Sequence, residues 1–439
     1  MTVAVIGAGI VGISVAWHLA RRHRRNVVLI DSHAPMSLTS ARSGENFRNW
    51  WPHPVMKDFT TDSIAAMEDI AGATGNRIRM NRRGYALATR RADIAPLLAE
   101  LHAGYGADAD RLIRLHDGGT SYIPAVIGPW QEAPDGVDVI RDKHLISEHF
   151  PGFDRAVSTI LHIRRGGDIS GQQLGQYMLE EIRAAGGRTV TAEVRGIEPG
   201  FTLQTSAGPI RAAAIVNAAG PYIADIAAML GESLPVTNVL QQKITFEDRA
   251  GAIPRARPFS IDLDGQTLAW SDDERAELAA DPATAWLTRP MPGGIHCRPD
   301  GATWIKLGWA YNHTPSPPDR DPALDPSYPD IVLRGASRLQ PALAQYIGRL
   351  PRNAVHYGGH YTMTEENWPL IGPMQTDGAF IAGALSGFGT MAACATGALC
   401  AAWLTGAPLH AYARALSRFR YEDVALMAGL REMHSKGVL

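Results

Sequence analysis

The sequence predicts an α/β fold in which a parallel sheet with crossover helices is interrupted by a second, more antiparallel sheet. A β-α-β unit opens the chain, with a buried strand over residues 2–6, a helix over 10–22 and a second buried strand over 26–30 that ends at Asp31. From about residue 235 to 345 prolines, tryptophans and alternating strand patterns become frequent, and the α/β texture returns after about residue 350. The antiparallel region is therefore expected to be an insertion.

Two lobes are expected, because a chain of 439 residues is too long for one simple core. Between the two ends a helix is predicted over 172–185, a strand over 189–194 and a buried strand over 213–220. We assign residues 1–75, 155–230 and 350–439 to a first lobe and residues 76–154 and 231–349 to a second.

The composition is that of a globular protein, with 45% hydrophobic and 20% charged residues. The net charge of −2 gives no sequence-wide field that would attract nucleic acid or an anionic membrane. Cys297, Cys394 and Cys400 form no CxxC pair, so neither a disulfide framework nor a metal site is expected, and a reducing cytoplasm fits best. The apolar stretch Ala379–Leu404 is rich in small residues, which indicates a helix packed in the interior rather than a membrane span.

Gly7, Gly9 and Gly12 form a GxGxxG motif between the first strand and the first helix. In this context Gly7 permits the tight turn, Gly9 lets a pyrophosphate approach the backbone, and Gly12 allows close packing of helix and strand. The helix N-terminus stabilises phosphate charge, and Asp31 accepts hydrogen bonds from the adenosine ribose. A generic glycine-rich turn is the alternative, but the acid 19 residues after Gly12 favours dinucleotide binding.

Further segments follow in a characteristic order. A Ser/Thr/Gly-rich loop covers 37–46, a mid-chain strand ends at Val194, and 217–222 reads N-A-A-G-P-Y. Near the C-terminus, 368–372 reads W-P-L-I-G and 386–391 reads S-G-F-G-T-M. With the GxGxxG unit, these segments resemble the FAD-dependent amine and amino-acid oxidoreductases, the superfamily of D-amino acid oxidase, glycine oxidase and monomeric sarcosine oxidase, over nearly the whole chain.

The resemblance implies a Rossmann-like FAD-binding domain, formed by the first lobe, with an inserted antiparallel β-sheet substrate domain. The loop would wrap the pyrophosphate, the mid-chain strand would bind adenine through its backbone, and a C-terminal helix would point its N-terminus at the negative edge of reduced flavin. Phe388 replaces the family's usual histidine, which leaves a polar contact there in doubt. The residues implied to bind FAD are Gly7, Gly9, Ile10, Val11, Gly12, Asp31, Ser32, Ser40, Arg42, Ser43, Gly44, Asn46, Val194, Ala218, Gly220, Gly383, Ser386, Gly387, Phe388, Gly389, Thr390 and Met391.

A lysine on the inserted sheet is the implied catalytic cation. Residues 304–309 read W-I-K-L-G-W and resemble the sarcosine oxidase strand whose lysine activates oxygen. By strand alternation Trp304, Lys306 and Gly308 share one face, so Lys306 faces the flavin or solvent if the opposite face is core. An ammonium near the flavin would stabilise superoxide, and Lys306→Met would slow reoxidation by about two to three decades. The alternative is an ordinary exposed strand lysine.

The substrate side departs from the family at two positions. The sarcosine branch attaches its flavin to a cysteine two residues before a Tyr-Thr pair, and Gly359 occupies that position, so non-covalent FAD is expected. Met391 replaces the lysine after the S-G-H-G signature, so the carboxylate clamp is at least partly rebuilt. Arg48 lies near where the family keeps an arginine for the substrate carboxylate, and it contacts either the substrate or the flavin. The aromatic run 50–53 either walls the pocket or belongs to the core.

The implied reaction is hydride transfer from the carbon next to a neutral amine, giving an imine that water hydrolyses, with oxygen reduced to hydrogen peroxide. The expected substrates are N-substituted glycines (sarcosine-like or iminodiacetate-like) and then small D-amino acids. Neither nucleic acid nor a membrane is an expected partner. Two alternatives remain, a dehydrogenase that passes electrons to a quinone or partner protein, and an NAD-binding or non-catalytic dinucleotide module.

Overall fold

The computed structural model describes residues 2–118, 122–125 and 128–433. The strands in chain order are β1 (Thr2–Ile6), β2 (Asn26–Asp31), β3 (Asn46–Arg48), β4 (Tyr85–Thr89), β5 (Ile113–His116), β6 (Val137–Ile140), β7 (Thr159–Ile163), β8 (Gly166–Asp168), β9 (Arg188–Thr191), β10 (Val194–Glu198), β11 (Thr202–Thr205), β12 (Ile210–Arg211), β13 (Ala214–Asn217), β14 (Thr237–Glu247), β15 (Phe259–Asp262), β16 (Ile295–Asp300), β17 (Trp304–Gly308), β18 (Val355–Met363), β19 (Leu370–Pro373) and β20 (Ala379–Gly383). The α-helices are α1 (Ile10–Trp17), α2 (Pro54–Ala73), α3 (Ala95–Tyr105), α4 (Ala109–Leu112), α5 (Lys143–His149), α6 (Gly171–Ala184), α7 (Ile223–Ala228), α8 (Asp272–Ala280), α9 (Tyr328–Leu339), α10 (Gly389–Thr405) and α11 (Val424–Glu432).

A six-stranded sheet organises the first lobe, in the spatial order β19-β20-β13-β1-β2-β9. All its strand pairs are parallel except the edge pair of β19 and β20. The apolar side chains of α1, α2, α6 and α10 cover one face, and the small sheet β10-β11-β12 with α7 covers the other. Burial on both faces explains the near-continuous apolar runs of β1 and β2, and the predicted Rossmann-like core is confirmed.

A nine-stranded sheet forms the second layer, in the order β18-β14-β17-β16-β15-β4-β7-β6-β5. Two of its strand pairs, β15 with β4 and β5 with β6, are parallel, and the others are antiparallel. The predicted inserted sheet is therefore present, although it is mixed. Helix α9 packs on its outer face against the fully buried side chains of Ile305 and Leu307. The opposite face of β17, which carries Lys306, is turned away from this core, as strand alternation predicts.

The structure corrects the strand predicted over 189–194. Strand β9 ends at Thr191, and Val194 begins β10 in a different sheet instead of ending a strand. The reason is the length of its neighbour, because β2 ends at Asp31, whose carbonyl accepts the Ala192 N–H. Beyond that point the chain has no partner in the six-stranded sheet and turns away.

Two apolar segments are also resolved into distinct elements. The helix predicted over 10–22 ends as α1 at Trp17 and continues as a π-helical turn over His18–Arg22. The stretch 379–404 divides into β20 and α10. Within the described residues, no helix has both the length and the apolarity needed to cross a bilayer.

The residue boundaries of the two lobes stay a prediction. Strands β7 and β18 fall in ranges assigned to the first lobe, yet both pair within the nine-stranded sheet, β7 with β4 and β6, and β18 with β14. The strand pairing therefore places residues 159–163 and 355–363 with the second layer.

Candidate functional site

A cavity of about 770 Å³ lies at the carboxyl ends of β1, β2 and β13. Open α/β sheets bind ligands at this edge, and the volume is within the range of about 300–1,000 Å³ typical of small-molecule and cofactor sites. Most of the residues predicted to bind FAD line it: Gly7, Gly9, Ile10, Val11, Asp31, Ser32, Ser40, Arg42, Ser43, Gly44, Val194, Ala218, Gly220, Gly383, Ser386, Gly387, Gly389 and Thr390. Segments that are far apart in sequence thus meet around one volume.

The glycine motif forms the turn between β1 and α1. Gly7 has φ +105°, and a Cβ there would lie 2.2 Å from the Ala218 carbonyl oxygen. A Cβ on Gly12 would lie 1.9 Å from the Gly7 carbonyl oxygen. Gly12 itself does not line the cavity, so it allows helix and strand to pack closely, whereas Gly7 and Gly9 leave backbone at the cavity surface.

The N-terminus of α1 is suited to an anion. It has no side-chain cap and no acidic residue in its first turn. The Ile10 N–H donates to Ser40 Oγ at 3.0 Å, which joins the helix start to the loop after β2. The Asp31 carboxylate accepts the Ala8 N–H at 2.7 Å and the His33 N–H at 2.9 Å, which holds it at the cavity edge. Such a helix end stabilises a phosphate through its dipole and backbone donors.

The loop after β2 is fixed to both layers. Ser43 Oγ and Thr390 Oγ1 are 2.9 Å apart, which ties the loop to the start of α10. On the other side, the buried guanidinium of Arg298 donates to the Gly44 carbonyl through Nε at 3.2 Å and Nη2 at 3.0 Å. Arg298 belongs to β16, and the sequence analysis did not identify it. No local motif marks it, because its partner lies 254 residues away.

The turn before α10 carries backbone strain. Ala384 has φ +56° and Ser386 has φ +45°, values that residues with a side chain seldom adopt. A Cβ on Gly387 would meet the Tyr361 ring at 2.6 Å, so the tyrosine packs directly over this glycine. Helix α10 also lacks a side-chain cap and a first-turn acid. Its N-terminus is therefore a second uncapped helix end at the cavity.

A smaller cavity of about 100 Å³ adjoins the larger one. The two share the lining residues Ser43, Gly44, Lys243, Tyr361, Ser386 and Gly387. Asn46, Phe388 and Met391, which were predicted to contact the cofactor, line only the smaller cavity, as does Arg48. Contact of Asn46, Phe388 and Met391 with a bound cofactor stays a prediction.

Arg48 is buried at the wall of this smaller cavity. Its Nε donates to the Trp50 carbonyl at 3.1 Å, and its guanidinium lies 4.9 Å from the Trp51 ring centroid and 5.6 Å from that of Tyr85. Burial lowers the pKa of Arg48 to about 10, so the side chain stays charged at neutral pH. Of the predicted aromatic wall, Trp51 lines the cavity, whereas Trp50 and His53 do not.

Lys306 lines neither cavity. Its Nζ lies 3.7 Å from a carboxylate oxygen of Glu45 and 3.7 Å from one of Asp300, and its side chain is 12% exposed. Burial, and then the charge of Arg298, lowers the pKa of Lys306. The face of the strand was predicted correctly, but the ammonium is held in an ion-pair cluster instead of an open site.

Lys243 and His296 line the smaller cavity and were not identified from the sequence. They flank Gly308 across neighbouring strands, because Gly308 pairs with Lys243 on β14 and with His296 on β16. His296 Nδ1 lies 3.1 Å from the Gly294 carbonyl, so Nδ1 carries the hydrogen and Nε2 is left as an acceptor. Burial, and then the Lys243 charge, lowers the pKa of His296 to about 4, which keeps it neutral.

Comparison with known proteins decides the family. The family model described as FAD dependent oxidoreductase matches residues 2–403. The chain belongs to this family. The FAD-dependent assignment agrees with a cavity bounded by two uncapped helix N-termini and a glycine turn that a Cβ would block. The residues present therefore fit FAD.

Two solved structures share the fold, and one curated protein is similar in sequence, all at low identity. L-proline dehydrogenase from P. horikoshii is 18% identical, with a TM-score of 0.74 over 96% of this chain and 98% of that one. Iminodiacetate oxidase from Chelativorans sp. BNC1 is 20% identical, with a TM-score of 0.68 over 94% and 98%. Human mitochondrial dimethylglycine dehydrogenase is 23% identical in a 316-residue alignment that covers 66% of this chain and 32% of that protein. The chain thus spans about a third of that relative's length.

Proposed function

We propose that this protein oxidises a small amine or amino acid that carries a carboxylate, with FAD in the larger cavity and oxygen as the electron acceptor. The observation that carries the proposal is the position of Arg48, a buried charged guanidinium at the wall of a small cavity that shares lining residues with the larger one. The relatives named above are an oxidase and dehydrogenases of amino acids and substituted glycines, which supports the same substrate class.

The chain would hold FAD through backbone donors and the two helix ends. The α1 N-terminus and the Gly7–Gly9 turn would bind the pyrophosphate, Asp31 the ribose, and the α10 N-terminus the flavin edge. When bound, FAD supplies the hydride acceptor. We propose non-covalent binding, since none of the cysteines Cys297, Cys394 and Cys400 lines either cavity.

The chain's own residues would bind and orient the substrate. Arg48 would pair with its carboxylate, since a guanidinium binds a carboxylate through two parallel hydrogen bonds. The Trp51, Tyr85 and Phe388 rings would exclude water. His296 Nε2, a neutral acceptor, would receive a hydrogen bond from the substrate amine, which favours an amine whose lone pair is free for the reaction.

A dehydrogenase is the second candidate, and one observation favours it. Lys306, the residue implied to activate oxygen, is paired with Glu45 and Asp300, which reduces the positive field available to superoxide. Two of the named relatives are also dehydrogenases. Electrons would then pass to a quinone or a partner protein. For either candidate we propose a cytoplasmic location, which the three unpaired, buried cysteines support.

The test is an amine and amino-acid panel scored for hydrogen peroxide under air and for reduction of an artificial dye without oxygen. The panel includes sarcosine, iminodiacetate, glycine, D-alanine and L-proline, each with its carboxamide. Turnover of acids with stoichiometric peroxide is the expected result. Dye reduction without peroxide identifies a dehydrogenase. A protein that purifies without a yellow chromophore and oxidises none of the panel contradicts the proposal.

A further inference from the structure

Lys243 lines both cavities and forms no ion pair with an acidic side chain of the described residues. The residue is 7% exposed, and no carboxylate oxygen in the described part of the chain lies within 4.0 Å of its ammonium. Its one hydrogen-bond partner there is the Tyr361 hydroxyl at 3.4 Å, and Nζ lies 5.3 Å from the centroid of that ring. A buried charge is costly unless it is paired, so an anion from outside the chain is the expected partner.

The neighbouring cations on the same sheet face are balanced. Lys306 lies 3.7 Å from carboxylate oxygens of Glu45 and Asp300, and Arg298 lies 2.8 Å from Asp300. These acidic residues are thus already used one step farther along the sheet. Glu45 also lines the smaller cavity, but its carboxylate is paired with Lys306, whereas Lys243 has no ion pair among the described residues.

The row of residues that contains Lys243 forms part of the smaller cavity. Strand register places Lys243, Gly308, His296 and Ile261 side by side across β14, β17, β16 and β15. A Cβ on Gly308 would lie 2.5 Å from His296 Nε2 and 3.2 Å from Lys243 Cγ. The glycine therefore lets the lysine and the histidine lie next to each other, and both line the cavity.

Lys243 and Arg48 reach the cavity from opposite sides. The Arg48 guanidinium stacks over Tyr85, which belongs to β4, whereas Lys243 belongs to β14. Four strand spacings separate β14 from β4, which places their backbones roughly 19 Å apart. Lys243 and Arg48 are therefore not placed to bind the same anionic group together. They bracket the cavity between them.

We propose that Lys243 binds a second carboxylate of the substrate, at the wall opposite Arg48, so that the site selects small amines that carry two carboxylates. This inference rests on the proposed amine oxidation and narrows its substrate class. His296 lines the cavity and belongs to β16, which lies between β14 and β4 in the sheet, so a central amine nitrogen would meet its Nε2 acceptor there. The chemistry that fits is an N-carboxymethyl amino acid with anionic groups at both ends.

The first experiment measures binding without turnover. Thiodiacetate and (methylthio)acetate have the shape of a dicarboxylic and a monocarboxylic substrate, but sulfur replaces the nitrogen, so neither is an amine. Calorimetric titration of the FAD-loaded protein should show thiodiacetate binding about ten- to hundredfold more tightly, because a hydrogen bond between charged groups contributes that much. Lys243→Met should abolish this preference, and Lys243→Arg should retain most of it.

Lys143→Met is the matched control, because Lys143 lies on α5, outside both cavity linings, and donates to the Val157 carbonyl. It should leave the preference unchanged. The inference is overturned if Lys243→Met weakens both ligands equally, which would place the ammonium at the shared carboxylate. It is also overturned if neither affinity changes while FAD retention falls, which would assign Lys243 to the cofactor.

A second experiment separates this inference from the proposed function. The ratio of kcat/KM for iminodiacetate over sarcosine should fall about ten- to hundredfold in Lys243→Met. Oxidation of amines with no dependence of this ratio on Lys243 overturns the inference alone. Preferential binding of thiodiacetate through Lys243, with no amine oxidised, overturns the proposed function and leaves the dicarboxylate site standing.

Discussion

The two adjoining cavities are built in different ways. The larger cavity is lined by turns in which several consecutive residues contribute, such as 6–11 with its glycines, 36–44, and 382–390. The smaller cavity shares parts of two of these turns, 43–46 and 386–388, but its remaining wall consists of single residues, several of them from separate strands, such as Tyr85, Lys243 and His296. A turn is encoded by its own sequence, whereas a strand residue reaches a cavity only through the register of its sheet. Cofactor sites are therefore easier to infer from sequence than substrate sites.

The largest effect is expected from a substitution that disrupts the glycine turn at the larger cavity. Gly12→Ala places a Cβ 1.9 Å from the Gly7 carbonyl oxygen, a backbone atom that cannot move without opening the turn. Overpacking costs about 1–3 kcal/mol, and a clash with backbone is at the upper end, so FAD binding should weaken up to about a hundredfold. Flavin absorbance after gel filtration measures it. Gly72→Ala, where a Cβ meets nothing within 4 Å, is the control. A fully loaded yellow Gly12→Ala protein would show that the turn is not the cofactor contact.

A substitution in the smaller cavity should act on substrate instead of on cofactor. Arg48→Ala should raise KM for an acid substrate about ten- to hundredfold and leave KM for its carboxamide nearly unchanged, because one charge-assisted pair is lost. The guanidinium also packs on Trp51 and Tyr85, so thermal unfolding of the variant is measured alongside. Equal changes for the acid and the amide would reassign Arg48 to the flavin.

His162 lines neither cavity, and it should make the free energy of unfolding depend on pH. Burial lowers the pKa of His162 to about 3, and its ring joins the Tyr122 hydroxyl at 2.8 Å to the Arg83 carbonyl at 2.8 Å. Between pH 6.5 and 3 the unfolded chain binds one more proton than the folded chain, so this contribution is complete above pH 6.5 and is lost as the pH falls. His162→Gln should flatten the fall in unfolding free energy by about 1.4 kcal/mol per pH unit in that window. Denaturant titrations from pH 7 to 4 check it, and an unchanged slope contradicts it.

The smallest effect is expected at Lys306. The sequence-based expectation of two to three decades assumes an uncompensated ammonium, whereas Glu45 and Asp300 lie within 3.7 Å of it. Since opposite charges at similar distances largely cancel its field, Lys306→Met should slow reoxidation by air less than about tenfold. Stopped-flow mixing of the reduced protein with oxygen measures this rate, and anaerobic reduction by substrate is the control. A loss of a hundredfold or more would restore Lys306 as the oxygen-activating cation.

The parts of the site that could be predicted from the sequence are those formed by residues adjacent in the chain. The β-α-β unit, the glycine turn and the start of α10 could all be predicted, because each depends on a strand, a turn and a helix that are contiguous in the chain. Arg298, Lys243 and His296 could not, because their roles depend on pairing among β14, β16 and β17. Even where alternation correctly gave the face of Lys306, it could not reveal Glu45, whose position is set by a different layer.

The contact between α1 and α10 has a consequence for synthesis. Helix α10 packs on α1 so closely that a Cβ on Gly397 would lie 2.2 Å from Ser14 Oγ, and the two helix ends bound the same cavity. Almost 380 residues separate them. At about 5–20 residues per second a ribosome needs roughly 20 to 80 s to make the intervening chain. During that interval the β-α-β unit lacks the helix that completes its core. The emerging polypeptide is therefore expected to depend on chaperones until α10 leaves the exit tunnel.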